Sequence, residues 1–147
     1  MPNKITKRLT GIPFILGGLL IMVLGVESGT LECHRKESIQ VVCQFTYSNL
    51  FGEKISSIAT GELKGAEVKT RKRNHRIVIL TKKETIPLIN SYTMGKNGKV
   101  NKVSRINDFI NNPEQMSLTI RQDNRWFGFL FGVIFIVGGI CAILGIT

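Results

Sequence analysis

Two long stretches without a charged residue constrain this chain more than any other feature of its sequence. They cover residues 9–26 and residues 126–147 in a chain of 147 residues. At the helical rise of about 1.5 Å per residue they reach roughly 27 and 33 Å, against a hydrocarbon core of about 30 Å. The sequence therefore predicts two transmembrane helices, the first preceded by a basic N-terminal tail at residues 1–8.

The first stretch has an alternative interpretation as a cleaved signal peptide, since a charged start precedes its apolar run. Its exit, V-L-G-V-E-S-G-T, lacks the small-residue pattern of a cleavage site, which favours an uncleaved anchor. Two spans place both termini on one side of the membrane and the segment 27–125 on the other. Because only three of the 20 Lys and Arg precede residue 9, this segment holds the other 17 with all 10 acidic residues, a charge of +7.

Glycines recur every seven residues on both predicted helices, at Gly11, Gly18 and Gly25 and again at Gly132 and Gly139. Seven residues return to nearly the same helix face, so each helix carries a stripe where another backbone can approach closely. In an antiparallel pair Gly25 meets Gly132, and Gly18 meets Gly139. The pattern predicts a packed helical hairpin; the alternative is that Gly is simply common in membrane helices.

The charges that flank the spans predict the orientation. The segment 4–8 carries three basic residues just before the first span, whereas the first basic residues after it are Arg35 and Lys36. The positive-inside rule then places both termini in the cytoplasm and the domain on the opposite side, and a long loop translocates largely regardless of its charge. Arg125 and Trp126, where the second span begins, form the pattern of an interfacial anchor.

The stretch L-E-C-H-R-K-E-S-I-Q-V-V-C-Q-F contains Cys33 and Cys43. As a hairpin centred on Ser38 it places the cysteines opposite each other, with Cα atoms about 4.5 Å apart, near the lower limit for a disulfide. Export favours the disulfide. The alternatives are two buried reduced thiols or a metal or redox site, although His34 points to the other strand face and there is no C-x-x-C. Cys141 fits a small apolar residue of the second span.

The segment between the spans predicts a small β-rich α+β domain of about six strands and one helix, with the helix covering one face of a curled sheet. The strands are predicted at residues 30–35, 39–48, 62–70, 75–81, 85–90 and 115–122, and the helix at 100–110. Residues 50–61 are predicted to be a connecting loop or one helical turn, and residues 91–100 a loop. Gly65 is a predicted bulge.

The densest positive charge lies in K-T-R-K-R-N-H-R, at a predicted hairpin tip, and its cations are Lys69, Arg71, Lys72, Arg73 and Arg76. Such a tip can bind anionic lipid headgroups, an acidic protein surface or nucleic acid in a salt-dependent way. The alternative is a solvated turn whose charge maintains solubility. Nucleic acid is disfavoured, because no aromatic residues are interleaved with the cations and the domain is predicted outside the cytoplasm.

The sequence lacks the signatures of catalysis. It contains no G-x-S-x-G, no P-loop and no H-E-x-x-H, and its two histidines, His34 and His75, are far apart. No nucleophile stands with a base, and no set of metal ligands is present at a recognisable spacing. We therefore expect no enzymatic activity, no cofactor and no metal.

Short motifs are spread along most of the chain: L-x-C-x-R at 31–35, Cys43, I-P-L at 86–88, I-N-x-F at 106–109, N-P at 112–113 and D-N-R-W at 123–126. Together they resemble small uncharacterised two-span membrane proteins of photosynthetic bacteria. The resemblance implies a plasma or thylakoid membrane and no particular chemistry. Strands followed by an amphipathic helix are also similar to pleckstrin-homology-like domains of bacterial membrane proteins, although here a strand follows the helix.

Two functions fit these observations. The first is a non-catalytic accessory or assembly subunit of a membrane complex, whose glycine-striped helices pack together, in a homo-oligomer, or against a larger partner. The second is a membrane-anchored sensor or anionic-lipid-binding module whose domain works in the cytoplasm through the tip at 69–76. Export predicts an oxidised Cys33 and Cys43, whereas the cytoplasmic module predicts reduced thiols.

Overall fold

The computed structural model describes residues 3–37 and 39–146, and these residues form two compact units. One unit holds the described residues of 1–27 and 124–147, and the other, called the domain here, is 28–123. The helices are α1 (Lys4–Gly25), α2 (Lys96–Asn111) and α3 (Arg125–Leu144). The strands are β1 (Glu27–Lys36), β2 (Gln40–Asn49), β3 (Gly52–Ile58), β4 (Leu63–Arg71), β5 (Asn74–Thr81), β6 (Thr85–Pro87) and β7 (Ser117–Asp123).

The first unit consists of α1 and α3, both long and apolar enough to cross a membrane. α1 begins at Lys4, so most of the predicted tail at residues 1–8 is helical rather than a separate segment. Residues 1 and 2 lie outside the described part of the chain. α3 begins at Arg125 and ends at Leu144, before Gly145, whose φ of 73° is a left-handed conformation that suits glycine at a helix end.

Glycine backbones form the contact between α1 and α3. A Cβ atom on Gly18 would lie 2.7 Å from the carbonyl oxygen of Gly132, and one on Gly139 would lie 2.7 Å from that of Gly11. Gly25 faces Gly128 in the same way. The helices therefore approach as closely as the missing side chains allow.

The predicted glycine pairs are wrong, by seven residues for Gly18 and by four for Gly25. Gly18 meets Gly132 rather than Gly139, and Gly25 meets Gly128 rather than Gly132. For Gly11 and Gly18, a stripe that repeats every seven residues fits its partner again after a shift of seven, so spacing alone cannot choose between the two registers; Gly25 meets Gly128, which lies one helical turn from Gly132. The observed register also packs the side chain of Ile136 beside Gly18.

The domain contains two antiparallel sheets. The first has the strand order β3-β2-β1-β7 and the second the order β4-β5-β6. The α+β prediction is confirmed, but the described residues contain seven strands rather than about six. The additional strand is β3, in the segment 50–61 that was predicted to be a loop or a helical turn. It was missed because its apolar residues Ile55 and Ile58 are three apart rather than alternating, and because Gly52 and Gly61 favoured a loop.

Three local differences from the predicted elements concern the second half of the domain. α2 begins at Lys96, four residues before the predicted start, so the second half of the predicted loop 91–100 is helical. β6 covers only Thr85–Pro87 of the predicted strand 85–90, and Pro87 ends it because proline cannot donate to a ladder. The predicted irregularity at Gly65 is confirmed by a register shift between Leu63 and Gly65.

The core of the domain lies among both sheets and α2. Its largest fully buried side chains include Leu31 from β1, Ile77 and Ile79 from β5, and Ile106 and Phe109 from α2. Burial of such side chains contributes roughly 1.5–3 kcal/mol each.

Arg35 connects β1 to the C-terminal end of α2. Its guanidinium donates hydrogen bonds to the carbonyl oxygens of Phe109 at 2.7 Å, Asn112 at 3.3 Å and Gln115 at 3.1 Å. The carbonyls of Phe109 and Asn112 lie at the C-terminal end of α2, where a helix leaves its last acceptors without backbone donors. The side chain is 8% exposed, so this buried cation is compensated by three acceptors.

Candidate anion-binding site

The tip of the β4–β5 hairpin, called the basic tip here, comprises residues 69–76. Arg71 pairs with Asn74, so Lys72 and Arg73 form a two-residue turn. Lys72 has a φ of 56°, the left-handed conformation that such tight turns require. The Lys72 side chain is exposed at the end of the hairpin.

Four of the five predicted cations are exposed: Lys69, Arg71, Lys72 and Arg73. Their side chains form no ion pair with an acidic side chain of the described residues, whereas Lys83 pairs with Glu62 and Arg121 with Asp123. The tip therefore concentrates positive charge that the described part of the chain does not neutralise.

Arg76 has a different role from the other four cations. Its guanidinium lies 4.4 Å from the ring centroid of Tyr92 and donates a hydrogen bond to the carbonyl oxygen of Asn90 at 3.2 Å. The side chain is half-buried between β5 and the segment after β6. Arg76 thus positions residues 90–92 beside the tip, and its stacking on Tyr92 contributes on the order of 1 kcal/mol.

This arrangement forms a shallow depression of about 470 Å³ at the base of the tip. Its lining residues are Arg71, Lys72, Asn74, Asn90, Ser91 and Tyr92. The sequence identified the two cations but missed the other wall, because Asn90 to Tyr92 are remote from the charged run. The aromatic ring of Tyr92 was the available signal, but no spacing rule connects it with Arg76.

The far wall of the depression is held in place by its backbone. His75 and Thr93 form an isolated antiparallel bridge with N to O distances of 2.8 and 2.9 Å. Lys99 donates to the carbonyl oxygens of Thr93, Met94 and Gly95 at 3.2, 2.7 and 3.2 Å. Burial, and to a lesser degree the charge of Lys102, lowers the pKa of Lys99. The depression is therefore preorganised.

The basic tip lies at one particular end of the domain. We call it the junction end, because the chain enters the domain at Ser28 and leaves at Asp123, which pair with each other. Gly29 lies against the backbone of Leu88, whose N–H donates to the carbonyl oxygen of Ile77 at 2.9 Å. From Ile77, β5 runs back to the tip.

Contacts at the opposite end of the domain, called the far end here, also indicate that the basic tip lies at the junction end. Leu63, where β4 begins, shares a small cavity of about 90 Å³ with Ile39 of the β1–β2 turn and Ile110 near the end of α2. The extended strand then carries the chain roughly 26 Å from Leu63 to Arg71, toward the junction end. At that end Tyr47 accepts a hydrogen bond from Asn90 at 3.1 Å.

The other predicted site residues lie elsewhere. Cys33 and Cys43 form the predicted disulfide, with Cα atoms 4.1 Å apart, and both are buried in the core. Arg125 and Trp126 occupy the first turn of α3, where Trp126 is 73% exposed. The described residues contain no cluster of three or more His, Cys, Asp or Glu side chains that could hold a metal ion.

No protein-family model, no curated protein and no solved structure matches this chain. The resemblance to two-span proteins of photosynthetic bacteria therefore stays a prediction. The function has to be argued from the geometry of the two units.

Proposed function

We propose that this protein is a non-catalytic, two-span integral membrane protein whose domain binds anionic lipid headgroups through the basic tip. The length and apolar composition of α1 and α3 support the membrane setting. Their contact through glycine backbones also supports it, because close backbone packing is a common basis of helix association in lipid.

The position of the basic tip at the junction end carries the proposal. Ser28 follows the end of α1 by three residues, a reach of about 10 Å, and Asp123 precedes α3 by two. With α1 and α3 in the bilayer, the chain enters and leaves the domain at its junction end through connections this short, so the junction end is the end joined to the headgroup layer. Cations near an anionic surface contribute on the order of 1 kcal/mol each, so four unneutralised cations bind it appreciably.

The chemistry of the depression suits a lipid phosphate. Arg71 offers a planar fork that can donate two parallel hydrogen bonds to phosphate oxygens, and Lys72 adds a compact charge. The Asn74 side chain carries an amide that can donate a further hydrogen bond. A phosphodiester headgroup thus finds charge on one wall and neutral polar groups on the other.

The disulfide supports a location of the domain outside the cytoplasm, because disulfides persist in oxidising compartments. The basic residues of segment 4–8 then lie with both termini on the cytoplasmic side, as the positive-inside rule requires. This combination changes the second function predicted from the sequence. The lipid-binding tip is retained, but it faces the exoplasmic or lumenal leaflet of a plasma or thylakoid membrane.

The role of accessory subunit in a larger complex stays a prediction. It depended on the glycine stripes of α1 and α3, and these stripes face each other within the chain. A pleckstrin-homology-like fold also stays a prediction, and β7 after α2 departs from that pattern. Neither alternative has a feature that favours it over headgroup binding.

Hydrogen exchange of the full chain in lipid nanodiscs tests the proposal. Amides of residues 70–75 are expected to exchange more slowly in nanodiscs that contain phosphatidylglycerol than in pure phosphatidylcholine. High salt should remove the difference, because it screens exposed charges. The triple variant Arg71→Gln, Lys72→Gln and Arg73→Gln should also remove it.

A matched control removes the same charge at the far end of the domain. Lys36, Lys64 and Lys82 are exposed, and the triple variant Lys36→Gln, Lys64→Gln, Lys82→Gln lowers the net charge equally. It should keep the lipid-dependent protection at residues 70–75. Equal loss in both variants would show a general charge effect and overturn the proposal, as would equal exchange of the wild type in both lipids.

A further inference from the structure

A second hairpin turn at the junction end is apolar. Leu50 and Phe51 form the two-residue turn between β2 and β3, since Asn49 pairs with Gly52. Phe51 is 79% exposed and Leu50 is 50% exposed. Exposure of two adjacent large apolar side chains to water is unfavourable, so burial of this turn in apolar surroundings would lower its free energy.

The geometry of the turn does not require these residue types. The N–H of Phe51 donates to the side-chain oxygen of Asn49 at 2.8 Å, and Gly52 has a φ of 148°. The flanking residues thus supply both the hydrogen bond and the unusual backbone conformation. Leu50 and Phe51 have ordinary negative φ angles, so polar residues would fit the turn equally well.

The topology of the first sheet places this turn at the junction end. Cys33 of β1 is bonded to Cys43 of the neighbouring β2, and the two strands form a hairpin, so the beginning of β1 and the end of β2 lie at the same end of the sheet. Leu50 and Phe51 follow directly after the end of β2. They are therefore at the end of the domain where the chain connects to both apolar helices.

We propose that the Leu50-Phe51 turn inserts into the interface of the bilayer that α1 and α3 span, beside the headgroups contacted by the basic tip. The inference rests on the membrane setting of the proposed function. The occupant is lipid because this is the end of the domain at which three residues lead from α1 to Ser28 and two lead from Asp123 to α3, the two helices proposed to lie in the bilayer. The two turns then use different forces: the basic tip binds headgroup charge, and the apolar turn buries surface among acyl chains.

Ile39 provides a matched comparison within the same domain. It is an apolar residue of a hairpin turn, it is 87% exposed, and it lies at the far end. Its exposure exceeds that of Phe51, so exposure alone would favour Ile39 for membrane contact. The proposal instead predicts contact for Phe51 only.

Depth-dependent quenching in nanodiscs tests the proposal on the full chain. In a Cys141→Ala background, Phe51→Cys or Ile39→Cys carries an environment-sensitive fluorophore, and the lipids carry a nitroxide near the ester groups. The probe at position 51 should lose most of its fluorescence, and the probe at position 39 should keep it. Equal quenching at the two positions, or none at position 51, overturns the proposal.

A third probe separates this proposal from headgroup binding. A fluorophore on Lys72→Cys reports whether the basic tip responds to phosphatidylglycerol, whereas insertion at position 51 is expected in neutral lipid as well. Quenching at 51 without a lipid response at 72 overturns headgroup binding alone. A response at 72 without quenching at 51 overturns insertion alone, and failure of both removes the membrane placement of the junction end.

Discussion

Each of the two units of this protein is stabilised internally, and the two are stabilised in opposite ways. In the helix pair, the contact depends on side chains that are missing, since Gly18 and Gly132 let two backbones approach. In the domain, it depends on side chains that are present, such as Phe109 and Ile77, which are fully buried. Substitutions that add side-chain atoms should weaken the contact between the helices, and substitutions that remove side-chain atoms should destabilise the domain.

The difference follows from the surroundings proposed for each unit. Lipid tails are as apolar as leucine, so burial of apolar surface gives no driving force between helices, and close van der Waals packing takes its place. In water the same burial is the main favourable contribution to folding. The predictions below test this contrast from the largest expected effect to the smallest.

Phe109→Ala should have the largest effect on the domain. The side chain is fully buried between α2 and the sheets, and its loss should lower the unfolding free energy by about 3–5 kcal/mol through lost burial and a new cavity. Urea unfolding of the detergent-solubilised chain, followed by β-sheet circular dichroism, measures it. Ile39→Ala, at an exposed site, should change stability by less than about 0.5 kcal/mol. Similar effects of both variants would contradict the assigned core.

Removal of the disulfide should be the next largest effect. A loop closed by cysteines ten residues apart corresponds to about 3 kcal/mol. The double variant Cys33→Ala and Cys43→Ala should therefore lower the urea midpoint of the domain and leave the α1–α3 pair intact. Cys141→Ala is the control, because that cysteine is free. An unchanged midpoint in the double variant would show that the bond contributes no stability.

Gly18→Ile should separate α1 from α3, because the new side chain collides with the backbone of Gly132. Overpacking of this kind costs about 1–3 kcal/mol. The distance between spin labels at positions 4 and 144 should increase and broaden in a background without Cys141. Gly17→Ile is the control, since a Cβ at Gly17 meets no described atom within 4 Å. If both variants separated the helices, the observed register would be wrong.

The smallest expected effect is a pH dependence confined to the domain. Burial lowers the pKa of Lys99 and of Lys102 below the ordinary value of 10.5. Between the lowered values and 10.5 the unfolded chain binds more protons, so the unfolding free energy rises with pH in that window. Lys99→Met should flatten the rise in urea unfolding measured across this range. A fall in stability over the same window would contradict the sign.

Local features of the domain could be predicted from its sequence. The β4–β5 hairpin follows from two strand-forming runs on either side of a charged turn, and the pairing of Cys33 with Cys43 follows from their symmetry about one turn. Both depend on residues close together in the chain. The same is true of most of α2, whose apolar residues recur at helical spacing.

The remaining features depend on contacts between distant segments. β3 is an exception, since it pairs with its sequence neighbour β2, and it was missed because its apolar residues Ile55 and Ile58 do not alternate. Tyr92 joins the candidate site only because Arg76 stacks on it, across a loop without a recognisable pattern. The division of seven strands into sheets of four and three is also set by packing, which periodicity does not encode.

The position of β1 in its sheet has a consequence for the order of folding. β1 lies between β2, its neighbour in sequence, and β7, which arrives some 90 residues later in the chain. The β1–β2 hairpin closes a short loop and can be oxidised early, whereas loop-closure entropy delays the β1–β7 pairing. Until β7 pairs with it, one edge of β1 has no strand partner. The oxidised β1–β2 hairpin therefore offers β7 the unpaired edge of β1 as a fixed template. The final β1–β7 pairing brings the two ends of the domain together.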